Sequence, residues 1–293
     1  VVASILVVVA LSGCLPASAD RGAAPRPPQR SSAPSPPRAV AISTSDDTDR
    51  NVGPPPRQPL WSSAPSDSYA VGVITRDALD HYTLSPTESG VRVHGDLTNV
   101  DGNTRLVLWR RGLPEVVDGE SCAAWTSQGG EGVQQGAALR VNREGGKLRA
   151  VTVTQNVWPF SSSTFNVHTV DTSRAGAPYR IEGQILMNDS FFASGPPPLP
   201  WRFCARAMDD TVTLKIWTNS EAEPSWFDPA HTGRVTLPEG WDHAGQFGWY
   251  AGHLAPGDHA EFSDMSNWFY DWVQRMVPRP TPATRPPPGR PGG

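Results

Sequence analysis

The chain has 293 residues, 31 of them Pro and 27 Gly. Eleven Pro fall in 15–60 and seven in 278–293, so the 217 residues between read as one folded block with Pro-rich ends. That block, 61–277, carries 16 basic and 25 acidic residues, which argues against nucleic acid, a ligand that needs a basic face. No apolar run reaches the roughly 18 residues that span a bilayer, which excludes a multi-spanning helical protein.

The first element is an apolar stretch, Val1 to Gly13, of signal-peptide length and without a charged n-region. It reads as a signal peptide incomplete at its start. The run Leu11-Ser12-Gly13-Cys14 resembles a bacterial lipobox. The resemblance implies cleavage before Cys14, acylation of its thiol and a lipid anchor, with palmitate among the acyl chains, on the outer face of the bacterial cell membrane. An ordinary signal peptide with an incidental Cys is the alternative. Segment 14–60, rich in Pro, Ser, Ala and Arg, is expected to be a disordered stalk. Segment 278–293 is expected to be a tail of the same kind.

Within 61–277 the signals are short and strand-like. Strands are predicted over 71–75, 91–97, 104–109, 123–127, 137–141, 148–156 and 164–170, then over 179–187, 201–207, 211–217, 234–237, 247–251 and 259–266. Many short strands with turn punctuation indicate a β-sandwich or barrel. In Thr211–Trp217 the residues Val212, Leu214 and Ile216 oppose Thr213, Lys215 and Trp217. In Tyr179–Ile185 the residues Tyr179, Ile181 and Ile185 oppose Arg180, Glu182 and Gln184. Asp209-Asp210 is predicted to turn a hairpin over 201–217. Only Asn267–Met276 shows helical spacing, through Trp268, Trp272, Val273 and Met276.

Setting Cys14 aside leaves Cys122 and Cys204, which an export compartment would bridge; two buried free thiols are the alternative.

At 201–226 the run Trp201-Arg-Phe-Cys-Ala-Arg206, then Asp210-Thr-Val-Thr-Leu-Lys-Ile-Trp217, then Glu221-Ala-Glu-Pro-Ser-Trp226 resembles a hairpin of the concanavalin A-like (laminin G-like) jelly-roll superfamily. Gly245–Gly252 followed by Ala260–Ser266 is similar to that family's last two strands. The resemblance covers 201–266 and implies an all-β, concanavalin A-like jelly-roll β-sandwich over 61–277. It implies that Pro224 sets a bend and that Trp226 and Trp217 pack on the sheet. It is weak on function, since the fold hosts lectins, glucanases, polysaccharide lyases and structural domains.

No E-x-D-x-x-E motif of the β-glucanases is present, and Glu261 and Asp264 lie three apart, on opposite faces of a strand. Jelly-roll lyases use an Arg/Gln/His/Tyr set, for which Arg180, Gln184 and His168 are candidates. No catalytic residue is assigned. None of the seven His pairs at a tight metal spacing, and no metal ligand is assigned. Calcium is common in the superfamily, and Asp209, Asp210, Asp228 and Asp242 could supply oxygens, though turn aspartates account for them as well.

Eleven Trp exceed what the core requires, and indole faces stack on sugar rings. Trp109, Trp125, Trp217 and the loop residue Trp158 are candidates. Asn166, His168, Arg180, Glu182 and Gln184 are their polar partners, if their sheet is the concave one. The sequence thus points to a lipid-anchored lectin-like module that binds a glycan or cell-wall polymer. A structural or protein-interaction module of the envelope is the alternative, and a glycoside hydrolase or polysaccharide lyase the third reading.

Overall fold

The structure, a computed structural model, describes residues 68–74, 81–97, 103–157 and 163–270, together with the backbone of 57–62. Cys14, the stalk to residue 56, Trp158, Trp272 and the tail lie outside the described residues.

Fifteen strands run in chain order: β1 (Arg57–Ser62), β2 (Tyr69–Val73), β3 (Tyr82–Pro86), β4 (Gly90–Gly95), β5 (Thr104–Arg110), β6 (Gly119–Gly129), β7 (Gln134–Glu144), β8 (Lys147–Gln155), β9 (Thr164–Asp171), β10 (Tyr179–Leu186), β11 (Trp201–Met208), β12 (Thr211–Thr218), β13 (Thr232–Thr236), β14 (Gln246–Leu254) and β15 (His259–Tyr270). They form two antiparallel sheets. The eight-stranded sheet has the order β13-β12-β11-β6-β15-β4-β3, with β1 also on β15. The seven-stranded sheet has the order β10-β9-β8-β7-β14-β5-β2. The fold is the all-β sandwich expected from the strand spacing.

The core lies between the sheets. One strand face supplies it from each side: Val212, Leu214 and Ile216 of β12, Leu106 and Leu108 of β5, Val151 and Val153 of β8. Trp125 and Trp201 stack there with ring centroids 4.7 Å apart. Trp249 donates its indole N–H to the Cys122 carbonyl at 3.0 Å, so its polar atom is satisfied in the interior. Arg140 is buried yet donates to the carbonyls of Val117, Trp241 and Asp209, at 2.8, 2.7 and 2.6 Å, tying three loops together. Asp118 lies 3.5 Å from it.

The 201–217 hairpin forms as expected: Met208 pairs with Thr211 across the two-residue turn Asp209-Asp210. Cys122 and Cys204 are cross-strand partners on β6 and β11 and are joined by a disulfide.

Three expectations differ from the structure. Arg57 to Leu60, read as stalk, belong to β1 and pair with β15. Strand β3 went unrecognised because its sequence, YTLSP, contains a Pro and little apolar content. The helix expected from Asn267 does not form over 267–270. These residues continue β15, where β6 on one side and β1 on the other satisfy their backbone groups. Two flanking strands override the local apolar spacing, and 271–276 lie outside the described residues.

Candidate functional site

The seven-stranded sheet buries one face in the core. Its other face can be read in cross-strand rows. One row runs Ala70, Trp109, Gly248, Ala138, Thr152, His168, Ile181. The next runs Gly72, Val107, Tyr250, Gly136, Thr154, Asn166, Gln184.

This face is curled tightly on itself. Arg105 on β5 and Tyr179 on β10 are separated by four intervening strands, about 24 Å across a flat sheet at roughly 4.8 Å per strand. Yet the Arg105 guanidinium donates to the Tyr179 hydroxyl at 3.1 Å and lies 4.8 Å from its ring centroid. Likewise Leu148 of β8 reaches Gly72 of β2: a Cβ on Gly72 would fall 2.0 Å from Leu148 Cδ1. Gly72 therefore leaves the space that lets β8 approach the edge strand β2 across the curl.

The inside of the curl has two halves. The first is apolar and closed. Trp109, only 8% exposed, packs with Val107, Ala138, Leu148, Ala150, Val170 and Tyr250. The second is polar and half open. Arg105 Nη2 lies 3.1 Å from His253 Nε2. His168 sits edge-on to Tyr179, with ring centroids 6.0 Å apart, and 3.5 Å from Thr152 Oγ1 through Nδ1. Tyr250 donates to Gln134 Oε1 at 2.9 Å, and Gln134 donates onward to the Gln155 carbonyl at 2.6 Å. Gln184 donates to Asn166 Oδ1 at 2.9 Å, and Ile181 stands 50% exposed beside them.

Electrostatics follow from this packing. Burial first, then the Arg105 charge, pushes His168 and His253 down to about 4; at His168 the nearby His253 adds to the lowering. Both imidazoles are neutral at pH 7. Burial raises the Tyr250 hydroxyl far above its usual range, so it is neutral too.

The ligand residues expected from the sequence divide accordingly. Asn166, His168 and Gln184 share the curled face. Arg180 and Glu182 do not. A bulge between Ile181 and Gly183 inserts one residue, so strict alternation fails within β10. Glu182 turns away to accept from Thr169 Oγ1 at 2.6 Å, and Arg180 projects outward, 3.8 Å from Glu182. The three tryptophans are not sugar platforms. Trp109 belongs to the closed half of the curl. Trp125, 2% exposed, is central core. Trp217, 4% exposed, lies on the outer face of the other sheet against the disulfide. The strap after β12 covers it: Trp226 stacks over Lys215 at 4.2 Å and Arg206 at 4.3 Å, and Lys215 pairs with Glu223 at 2.7 Å. This is the packing role that the resemblance over 201–226 implies for Trp226 and Trp217.

The residues that sequence reading missed are Arg105, His253, Tyr179 and Gln134. Alternation in Thr104–Arg110 does place Arg105 on the face of Trp109. What sequence lacks is the curl that brings β5 over β10. With them the curled face holds Arg, Gln, His and Tyr, the residue types of the jelly-roll lyases, from positions other than Arg180. It holds no carboxylate pair among the described residues.

The aspartates considered for calcium do not make an oxygen cage. No three of Asp209, Asp210, Asp228 and Asp242 bring their oxygens within 4.8 Å of one another. Asp228 instead accepts from Ala230 N at 3.0 Å and lies 2.9 Å from His231 Nδ1. Among the described residues, the one three-ligand grouping is Glu120, Cys122 and Cys204, whose sulfurs are spent in the disulfide. The strands do bring one His pair together. His94 and His259 are cross-strand partners with ring centroids 5.9 Å apart, 165 positions apart in the chain and so invisible to local spacing.

No family model matches the chain, and no curated protein matches it. Among solved structures it is similar to the exoplasmic/lumenal domain of VIP36 in its Ca2+/Man3GlcNAc-bound form, at 13% identity and a TM-score of 0.42, over 75% of this chain and 88% of that one. It is similar to the carbohydrate-binding module CBM66 from Bacillus subtilis, at 11% identity and 0.36, over 68% and 94%. It is also similar to a Bacillus subtilis protein of unknown function with a galectin-like fold, at 10% identity and 0.42, over 74% and 96%. At these values no residue role is carried across.

Proposed function

We propose that the chain is a carbohydrate-binding β-sandwich whose ligand enters the half-open polar end of the curled face. The observation that supports this reading is the company kept there. A guanidinium, two neutral imidazoles, a tyrosine ring and the Asn166–Gln184 amide pair converge beside a half-exposed Ile181. Paired amides suit sugar hydroxyls, and ring and aliphatic surfaces suit the C–H face of a pyranose. Binding of an intact glycan on a broad array, lost in Asn166→Ala/Gln184→Ala, is the expected result. Mass analysis of each hit separates binding from cleavage, and a shortened product would replace the binder with a hydrolase or a lyase.

The closed apolar half, plugged by Trp109 and Leu148, favours the structural or protein-interaction module instead. Absence of binding across the array by folded protein would make that the working reading.

We further propose that the sandwich is carried at the outer face of the cell membrane by acylation of Cys14, a reading supported by Leu11-Ser12-Gly13-Cys14. Labelled palmitate is expected on the wild-type chain. Cys14→Ser is expected to lose the label and leave the membrane fraction.

A further inference from the structure

Arg105 is a partly buried cation without an acid partner, as are Arg149, Arg174 and Arg206, which lie over the rings of Trp241 and Trp226; four other cations of the sandwich do have one. Arg92 pairs with Glu261, Arg140 with Asp118 at 3.5 Å, Lys215 with Glu223 at 2.7 Å and Arg202 with Asp264 at 2.6 Å. Around Arg105 the neighbours are Tyr179, Tyr250 and His253, with His168 close by; Tyr250, His253 and His168 are uncharged at pH 7. Among the described residues no carboxylate pairs with it. Acids are not scarce, since the block from 61 to 277 holds 25. The guanidinium, drawn half out of water, has Tyr179 and His253 for hydrogen bonds and the Tyr179 ring for contact, but no counter-charge among the described residues. It is partly exposed and lies on the face that bears the Asn166–Gln184 pair and the half-exposed Ile181.

From this we infer that the curled face takes an acidic sugar, one whose carboxylate, sulfate or phosphate oxygens complete Arg105 while the amide pair meets neighbouring hydroxyls. The inference rests on the glycan reading of this face and names its ligand class. Guanidinium matches the two oxygens of such a group in a fork that an ammonium lacks. The neutral imidazoles beside it let the anion approach without adding a fixed positive charge of their own.

The test uses the full chain, with titration calorimetry against three probes of matched length: an oligogalacturonate, its carboxyl-reduced neutral form, and a sulfated galactan oligosaccharide. At least one acidic probe is expected to bind about tenfold or more tightly than the neutral one, the preference shrinking with salt. Arg105→Gln is expected to remove that preference, and Arg105→Lys to keep only part of it. The uronate and sulfated arms distinguish which anion the site accepts. Equal binding of neutral and acidic probes would overturn the inference while leaving the glycan reading intact. Binding of none of the three, together with an empty broad array, would overturn both. Should Arg105→Gln fold poorly, the wild-type ratio between the oligogalacturonate and its reduced form still decides.

Discussion

His168 and His253 make the interior of the curl sensitive to acid. Each titrates near 6.5 when exposed and at about 4 in the fold, through burial and then Arg105. Between those values the unfolded chain binds more protons than the folded one, so stability falls as pH drops from 6.5 toward 4. Above 6.5 the contribution is complete. Urea unfolding at pH 7, 5.5 and 4.5 is expected to show a loss of a few kcal/mol, and His168→Asn/His253→Asn to flatten part of that slope. At this scale sequence was a fair guide to residue type and a poor one to company. Asn166, His168 and Gln184 were legible from strand alternation. Arg105 was not, because its partners come from the far end of the same sheet.

Single elements show where periodicity succeeds. The alternation of β12 is kept in full, with Val212, Leu214 and Ile216 inward. Its other face, which alternation alone assigns to solvent or ligand, is covered by the strap from 221 to 231. There Trp226 spreads over Lys215, Arg206 and the disulfide region. Trp226→Ala is expected to cost about 1–3 kcal/mol, measured as a lowered urea midpoint, since it removes two cation–π contacts and uncovers Lys215 and Trp217. A one-residue bulge in β10 was enough to send Glu182 to the opposite side from Gln184. The one sequence signal of this bulge is Gly183, a glycine inside the strand next to the extra Glu182. The C-terminal part of β15 fails in the opposite way: a convincing local helix spacing yields to pairing on both edges.

Across the whole molecule, the fold class was legible because turn punctuation and strand length are local properties. The curvature of one sheet over its own face is not local, and it decides what the site is. The disulfide acts at this scale too, linking positions 82 apart that the sheet already makes neighbours. Cys122→Ser/Cys204→Ser is expected to lower stability by about 2–4 kcal/mol through a freer unfolded chain, seen as a reduced melting temperature with glycan binding retained. The covalent link lies on the sheet opposite the curled face, so its loss leaves Arg105 and its neighbours in place.

The pairing of β1 with β15 has a mechanical consequence. Arg57 stands opposite Tyr270, so the start of β1 and the end of β15 lie side by side. A load applied between these two ends would peel the strands apart rung by rung from that point, the direction in which a ladder resists least. Traction on Arg57 alone also loads the ladder, because β1 joins the sheet only through its pairing with β15. Fixing both ends would make β1 the first strand to part.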